Sequence, residues 1–277
     1  MNFINSILTK LTAAALAPFT HMPLVGLVFW SAVAGVVMTY VFGKTSNQHA
    51  LKRAADETRA QLLAIKLFKD DLSVTFRCQV ALMKATGRRL LHSQRPMLVM
   101  IVPFVLVLVH LAIYYEHRPL RQDESALVIM HLSESAWDRH QDLALDDSTA
   151  GDVVATEALR DAEERSLYWK LSPRRAENVT LRWRIDDEVI EKQLTASEDS
   201  SHLAIVSVRR PSSGIVDRLL YPAEPGFDAD SPVRRIEVPY PLRSTAVFSL
   251  DVPWWATFLI VSMVTAVLVR RFFGVQF

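Results

Sequence analysis

Three apolar segments, set apart by polar stretches of unequal length, divide the chain. Residues 22–43 carry no charge, and residues 96–115 have His110 as their only strongly polar side chain. Residues 252–269 are shorter and are closed by Arg270 and Arg271. Each reads as passing the test of roughly 20 apolar residues for a spanning helix, so the pattern predicts transmembrane helices over all three. Trp254 and Trp255, with Tyr114 and Tyr115, fit interfacial aromatic anchors at one membrane face.

Between these segments the period changes. In residues 1–21, Phe3, Ile4, Ile7, Leu8 and Leu11 recur at helical spacing with Asn5, Ser6, Thr9 and Lys10 opposite. That predicts an amphipathic helix in the membrane interface. A signal peptide would want positive charge ahead of its apolar run, whereas Lys10 sits in the middle. Residues 44–95 are polar and helical, with a 3-4 repeat of Leu51, Ala55, Thr58, Leu62 and Ile65, then one of Phe76, Val80, Met83, Gly87 and Leu90. The two stripes predict a helical hairpin, packed as a short antiparallel coiled coil. Its reversal falls at residues 69–75, where Asp70 or Asp71 caps the second arm.

Residues 116–251 read as strands: 126–132, 179–185, 189–195, 203–208, 234–238 and 246–250, with Asp186-Asp187 as a hairpin turn. Residues 133–165 are more acidic and more helical or loop-like. The expectation is a β-rich, sandwich-like domain. The fold class is thus membrane α-helical, three transmembrane helices plus a helical hairpin, with a β-rich domain between the second and third spans and a tail at 270–277.

Net charge is +1 over 277 residues, and the informative quantity is its distribution. Residues 44–95 hold eleven basic and four acidic residues, +7; residues 116–251 hold 17 basic and 26 acidic, −9. Lys and Arg close to span ends resist translocation. The hairpin and the C-terminus are therefore expected inside, and the N-terminus and the β-rich domain outside. The one cysteine, Cys78, falls on the inner side and reads as a packed small hydrophobe, so the outer domain has no disulfide to hold it.

No catalytic signature is present: no phosphate-binding Gly-rich loop, no Gly-x-Ser-x-Gly, no His-Glu-x-x-His and no cysteine pair. His131 and His140 lie near Glu134, Asp138 and Asp142, but their spacing matches no standard metal site, and they read as solvated surface residues. The chain is expected to be no enzyme, with no metal and no cofactor. His110 is a functional candidate because a polar ionisable group inside a span is costly; its plainer role is to reach the nearby interface. Ser31, Thr39, Ser262 and Thr265 read either as a mildly polar bundle interior or as helix-packing residues.

An amphipathic helix, an N-out span, a basic helical hairpin, a second span and a last span ending inside resemble the core of the YidC/Oxa membrane-insertase superfamily. The form is that of its minimal three-span members, the archaeal YidC-like proteins and the third subunit of the ER membrane protein complex. The junction Arg95-Pro96-Met97-Leu98-Val99-Met100 is similar to the same junction in the archaeal group. The resemblance covers residues 1–115 and 252–277, and residues 116–251 have no counterpart in it. It implies a non-covalent insertase or assembly chaperone in a bacterial cytoplasmic membrane, with the lipid bilayer, client membrane proteins and possible ribosomes as partners. Span one departs from the pattern in carrying no arginine. Thr39, Lys44, Arg95 and His110 are the groove candidates, and Lys52, Arg53, Arg88 and Arg89 the client or ribosome contacts. The alternative is a membrane-anchored sensor or scaffold whose outer domain binds an envelope partner or ligand.

Overall fold

At the centre of the largest sheet in the computed structural model lies β1 (Ala126–Leu132), with every second residue buried from Ala126 to Leu132. The structure describes residues 2–275 apart from 47, 68–71, 123, 140–142, 144, 147, 148, 150, 186, 187, 200, 245, 248 and 249. The protein combines helices with antiparallel sheets and divides into two compact units. One comprises Met1–Gly26 and Leu106–Trp254; the other comprises Leu27–Val105 and Trp255–Phe277.

In the first unit β1 is flanked by β4 (Ser166–Pro173) and β8 (Val233–Glu237). Val128 pairs with Trp169, and Met130 with both Leu167 and Ile236. Two short strands, β2 (Val153–Ala155) and β3 (Leu159–Asp161), extend β4, and β7 (Arg209–Arg210) closes the other edge. A separate hairpin, β5 (Val179–Ile185) and β6 (Glu188–Leu194), buries alternate residues on one face. That face packs on the main sheet, with the Trp169 and Trp183 rings 5.5 Å apart. The alternation places each apolar set on one side, so two faces can share one core.

Four of the expected strands, 126–132, 179–185, 189–195 and 234–238, coincide with β1, β5, β6 and β8 to within a residue. The stretch 203–208 is not a strand. Two of its backbone bonds go to helix ends, Leu203 N donating to Thr20 O and Val206 N to Ile113 O, while Val208 O accepts from Val238 N beyond the end of β8. Part of the acidic region 133–165, expected to be helical or loop-like, supplies β2 and β3, and β4 follows it. The β5–β6 turn, Asp186-Asp187, lies outside the described residues, although Ile185 and Glu188 pair across it.

Helix α1 (Asn2–Leu16) leads through a short 3₁₀ turn, Ala17–Phe19, into α2 (Pro23–Thr45). The ends of three helices converge here. Tyr115 Oη donates to Pro23 O at 3.1 Å, and its ring stacks on Trp254 at 6.4 Å. A Cβ on Gly26 would stand 2.7 Å from Phe19 Cβ and 3.0 Å from Tyr115 Oη, so only glycine admits this approach.

The linker from α4 (Leu72–Tyr115) to β1 is held by Arg118, whose guanidinium grips Glu124 through two bonds of 2.8 Å. That grip holds the Glu124 carboxyl down at about 2, against an ordinary 4.5. A carboxylate depressed in the fold contributes stability that is complete above the unfolded value and lost as pH falls towards the folded one. Wild-type stability should therefore decline between pH 4.5 and about 2. Glu124→Gln should lose this contribution at neutral pH and show a shallower acid limb, checked by thermal unfolding across that range. An acid limb of equal slope in both proteins would contradict the assignment.

In the second unit α2 crosses α7 (Trp254–Val269) closely. Ser31, Gly35 and Thr39 recur every fourth residue, and Ser31 and Thr39 are buried. A Cβ on Gly35 would lie 2.5 Å from the Ser262 carbonyl oxygen and 3.1 Å from Thr265 Cβ. These residues therefore pack helices, the small-residue geometry of close crossings. Phe104 and Phe258 add a ring contact at 6.0 Å. After α7 the chain turns through Gly274 at φ +62°, and Val275 N donates back to Arg270 O, the helix-ending pattern that favours glycine.

Among the described residues two helices, Pro23–Thr45 and the Leu98–Tyr115 part of α4, are long and apolar enough to cross a membrane. The third expected span is a helix of only 16 residues. At 1.5 Å per residue it reaches roughly 24 Å, short of a hydrocarbon layer of about 30 Å. Pro253 stands before its first turn and Gly274 turns the chain after it.

Candidate functional site

The charged hairpin region comprises α3 (Gln48–Leu67) and the first part of α4. The reversal expected at 69–75, with its Asp70 and Asp71 caps, lies largely outside the described residues. Of the expected first-arm stripe, Ala55, Thr58 and Ile65 are half-buried, but Leu62 is exposed. The second-arm expectation is corrected more fully. Of the expected stripe only Gly87 is half-buried; Phe76, Val80, Met83 and Leu90 are exposed, and the shielded face is Cys78, Ala81, Leu82 and Ala85. Both sets have helical spacing, offset by two positions, and the structure turns the smaller set inward. Phe76 is 68% and Met83 72% exposed, and Leu90 is exposed as well. With Leu62, Leu63 and Leu67 they leave a helical region rich in unburied apolar side chains.

Lys52 and Arg53 are exposed on α3, and Arg88, Arg89 and Arg95 lie within α4. Lys44 is exposed at the end of α2, 5.8 Å from the Tyr40 ring centroid. Thr39 is buried and donates its hydroxyl to Gly35 O at 2.8 Å. His110 is also buried. Its Nδ1 lies 2.8 Å from Leu106 O, which accepts, so Nδ1 carries the proton and Nε2 is left as an acceptor. Nε2 has no partner among the described residues, nor has the buried Tyr114 hydroxyl one turn along.

Two charged assemblies in the β-rich unit escaped the sequence reading. In the first, Lys192 occupies an inward position of β6 and is fully buried. Its Nζ meets Glu224 Oε1 at 2.8 Å, Ser207 O at 2.6 Å and Ser207 Oγ at 3.0 Å. Glu224 Oε1 also accepts from Gln193 N at 3.1 Å. Burial pulls the ammonium's pKa down, and the carboxylate pulls it back. The sequence offered one signal, a lysine at a core position of an alternating strand.

The second assembly corrects the expectation that His131 is solvated. Its Nδ1 lies 2.7 Å from Ser166 Oγ, and Nε2 faces Glu237 Oε1 at 3.9 Å. Glu237 lies 2.9 Å from Arg235 Nε and 3.1 Å from Arg209 Nη2, at ion-pair distance but without hydrogen-bond angles for Oε1. Burial first, then Arg235, lowers the His131 pKa. A Ser–His–carboxylate series invites a hydrolase reading, and the geometry opposes it. Ser166 is fully buried and donates its proton to Glu164 O, so towards His131 it is an acceptor. His140 and Asp142 lie outside the described residues, and among the described residues no His, Cys, Asp and Glu cluster could hold a metal.

Among the clefts lined by described residues of this unit, two carry charged side chains of interest. One, of about 640 Å³, is lined by His131, Arg165, Arg234, Arg235, Ser212 and Asp217 among others. The other, of about 370 Å³, lies between the polar side of α1 and the loop 222–226. Fold and sites together define a mixed helical and antiparallel-β protein with two helices of membrane-spanning length. Compared with known proteins, the chain matches no family model, no curated protein and no solved structure.

Proposed function

We propose that this protein is a non-covalent membrane-protein insertase or assembly chaperone of the YidC/Oxa type. In this reading the apolar helices span the bilayer, the basic helical region faces the cytoplasm and the β-rich domain lies outside. The observation that carries it is the unburied apolar face of the helical region, Phe76, Val80, Met83 and Leu90, on arms rich in lysine and arginine. Exposed apolar surface rimmed by charge marks a binding surface. Methionine and phenylalanine suit clients of variable sequence, because an unbranched thioether adapts its shape. Basic side chains would recruit ribosomes or clients by long-range attraction, weakened by salt. Catalysis here is a lowered cost of passing a polar segment into lipid, with no bond made or broken.

The test is depletion of the protein followed by pulse-labelling of small membrane proteins. Their insertion should fall, and a Phe76→Glu/Met83→Glu variant should fail to restore it while remaining in the membrane. Full insertion after depletion would overturn the proposal. A second reading, a membrane-anchored sensor or scaffold, is favoured by the 640 Å³ charged cleft of the β-rich domain. Under it, substituting Arg234 and Arg235 would abolish function while the Phe76/Met83 pair would be silent.

A further inference from the structure

We propose that the cleft between α1 and the loop 222–226 binds the headgroup of a zwitterionic, ethanolamine-type phospholipid. The inference rests on the membrane reading above, and concerns a site to which that reading gives no role. The cleft holds about 370 Å³, room for a phosphate with a short amine arm. One wall is α1, presenting Asn5, Ser6, Thr9 and Lys10; the other presents Arg218 and Glu224. Asn5 Nδ2 donates to Arg218 O at 2.8 Å and ties the walls together.

The lining is chemically divided. Lys10 is exposed and cationic. Arg218 donates through Nε to Ser212 O at 3.3 Å and through Nη2 to Phe227 O, leaving Nη1 without a hydrogen bond among the described residues. The Thr9 hydroxyl is buried there and has no partner among the described residues. These groups suit a phosphate, which accepts several charge-assisted bonds. Glu224 is more than nine-tenths buried, and both bonds it accepts, from Lys192 Nζ and Gln193 N, fall on Oε1. Its Oε2 is the acceptor available to a primary ammonium. Gly226 is part of the construction, since a Cβ there would stand 2.7 Å from Arg218 Nε.

Lipid, rather than a soluble phosphate ester, is indicated by what borders the cleft. The short helix α6 (Ile215–Leu220) carries Arg218, and its Ile215 and Val216 are 69% and 68% exposed. Ile7 and Leu11 are exposed on α1. Leu220 lines a crevice with Ala112 and Ile113, the last apolar turns of a membrane-length helix. The cleft thus sits where headgroups meet acyl chains, with apolar side chains on both bordering helices.

The full-length protein, reconstituted in vesicles of equal parts phosphatidylcholine, phosphatidylethanolamine and phosphatidylglycerol, is extracted in mild detergent and its retained lipid measured by native mass spectrometry. Wild type should retain phosphatidylethanolamine over both others. Lys10→Ala, Thr9→Val and Gly226→Val should each lower retention, roughly tenfold for the loss of one charge-assisted bond. Equal retention of phosphatidylglycerol would reduce the site to general charge attraction and overturn the proposal. So would unchanged retention in all three variants. A chain that partitions into vesicles but shows no preference defeats the site alone; a chain that never enters them defeats the membrane reading.

Discussion

Lys192→Met should destabilise the β-rich domain by about 3–5 kcal/mol, the range for breaking a buried ion pair from one side. The side chain is fully buried, and no water can replace what its ammonium supplies. Without it, Glu224 keeps one backbone donor, Gln193 N, and the Ser207 carbonyl loses its bond from the lysine. The cost is that of a stranded charge, not of a lost attraction. Lys192→Met/Glu224→Gln should therefore recover much of the loss, because the neutral amide oxygen still accepts from Gln193 N. Chemical unfolding followed by tryptophan fluorescence measures both, since Trp169 and Trp183 share the core with β6. A single variant within about 1 kcal/mol of wild type would show the pair to be solvated.

Gly35→Val should separate α2 from α7 at a cost of about 1–3 kcal/mol, the range for forcing extra carbon into a packed contact. The Cβ would stand 2.5 Å from a backbone oxygen, which has no rotamer to yield. Either helix must shift as a body, and where α7 is the one that moves the Phe104–Phe258 contact opens with it. Thr39→Val changes no volume of consequence and only removes a hydroxyl bonded within its own helix, so it should be nearly silent. A cysteine cross-link between neighbouring positions on α2 and α7, efficient in wild type and lost in Gly35→Val, reads the separation directly. Equal cross-linking would show that the helices accommodate the branch.

The long apolar helices and the central strands were legible because their signals are local. The spacing of Val128, Met130 and Leu132 suffices to place β1, and its buried face follows from that spacing. The hairpin faces were not legible: two apolar sets share one helical period, and spacing alone does not decide that Ala81 and Ala85 are shielded while Phe76 and Met83 are exposed. The strand expected at 203–208 failed for a related reason. Its β-branched residues suit a sheet, but its backbone partners, among them Thr20 and Ile113, lie far away in sequence. The Lys192–Glu224 and His131–Glu237 assemblies were hidden because each joins residues from separate strands and loops at no characteristic spacing.

Those same two hydrogen bonds, Leu203 N to Thr20 O and Val206 N to Ile113 O, bear on the order in which the molecule is made. Both acceptors are synthesised before the donors. If the apolar helices enter the bilayer as they emerge, the segment 203–206 meets its acceptors only after Thr20 and Ile113 have been delivered to the same side. A chain whose first two helices were misoriented would offer it neither carbonyl. On the membrane reading proposed above, completion of the β-rich domain would then act as a proofreading step on the topology of the helices that precede it.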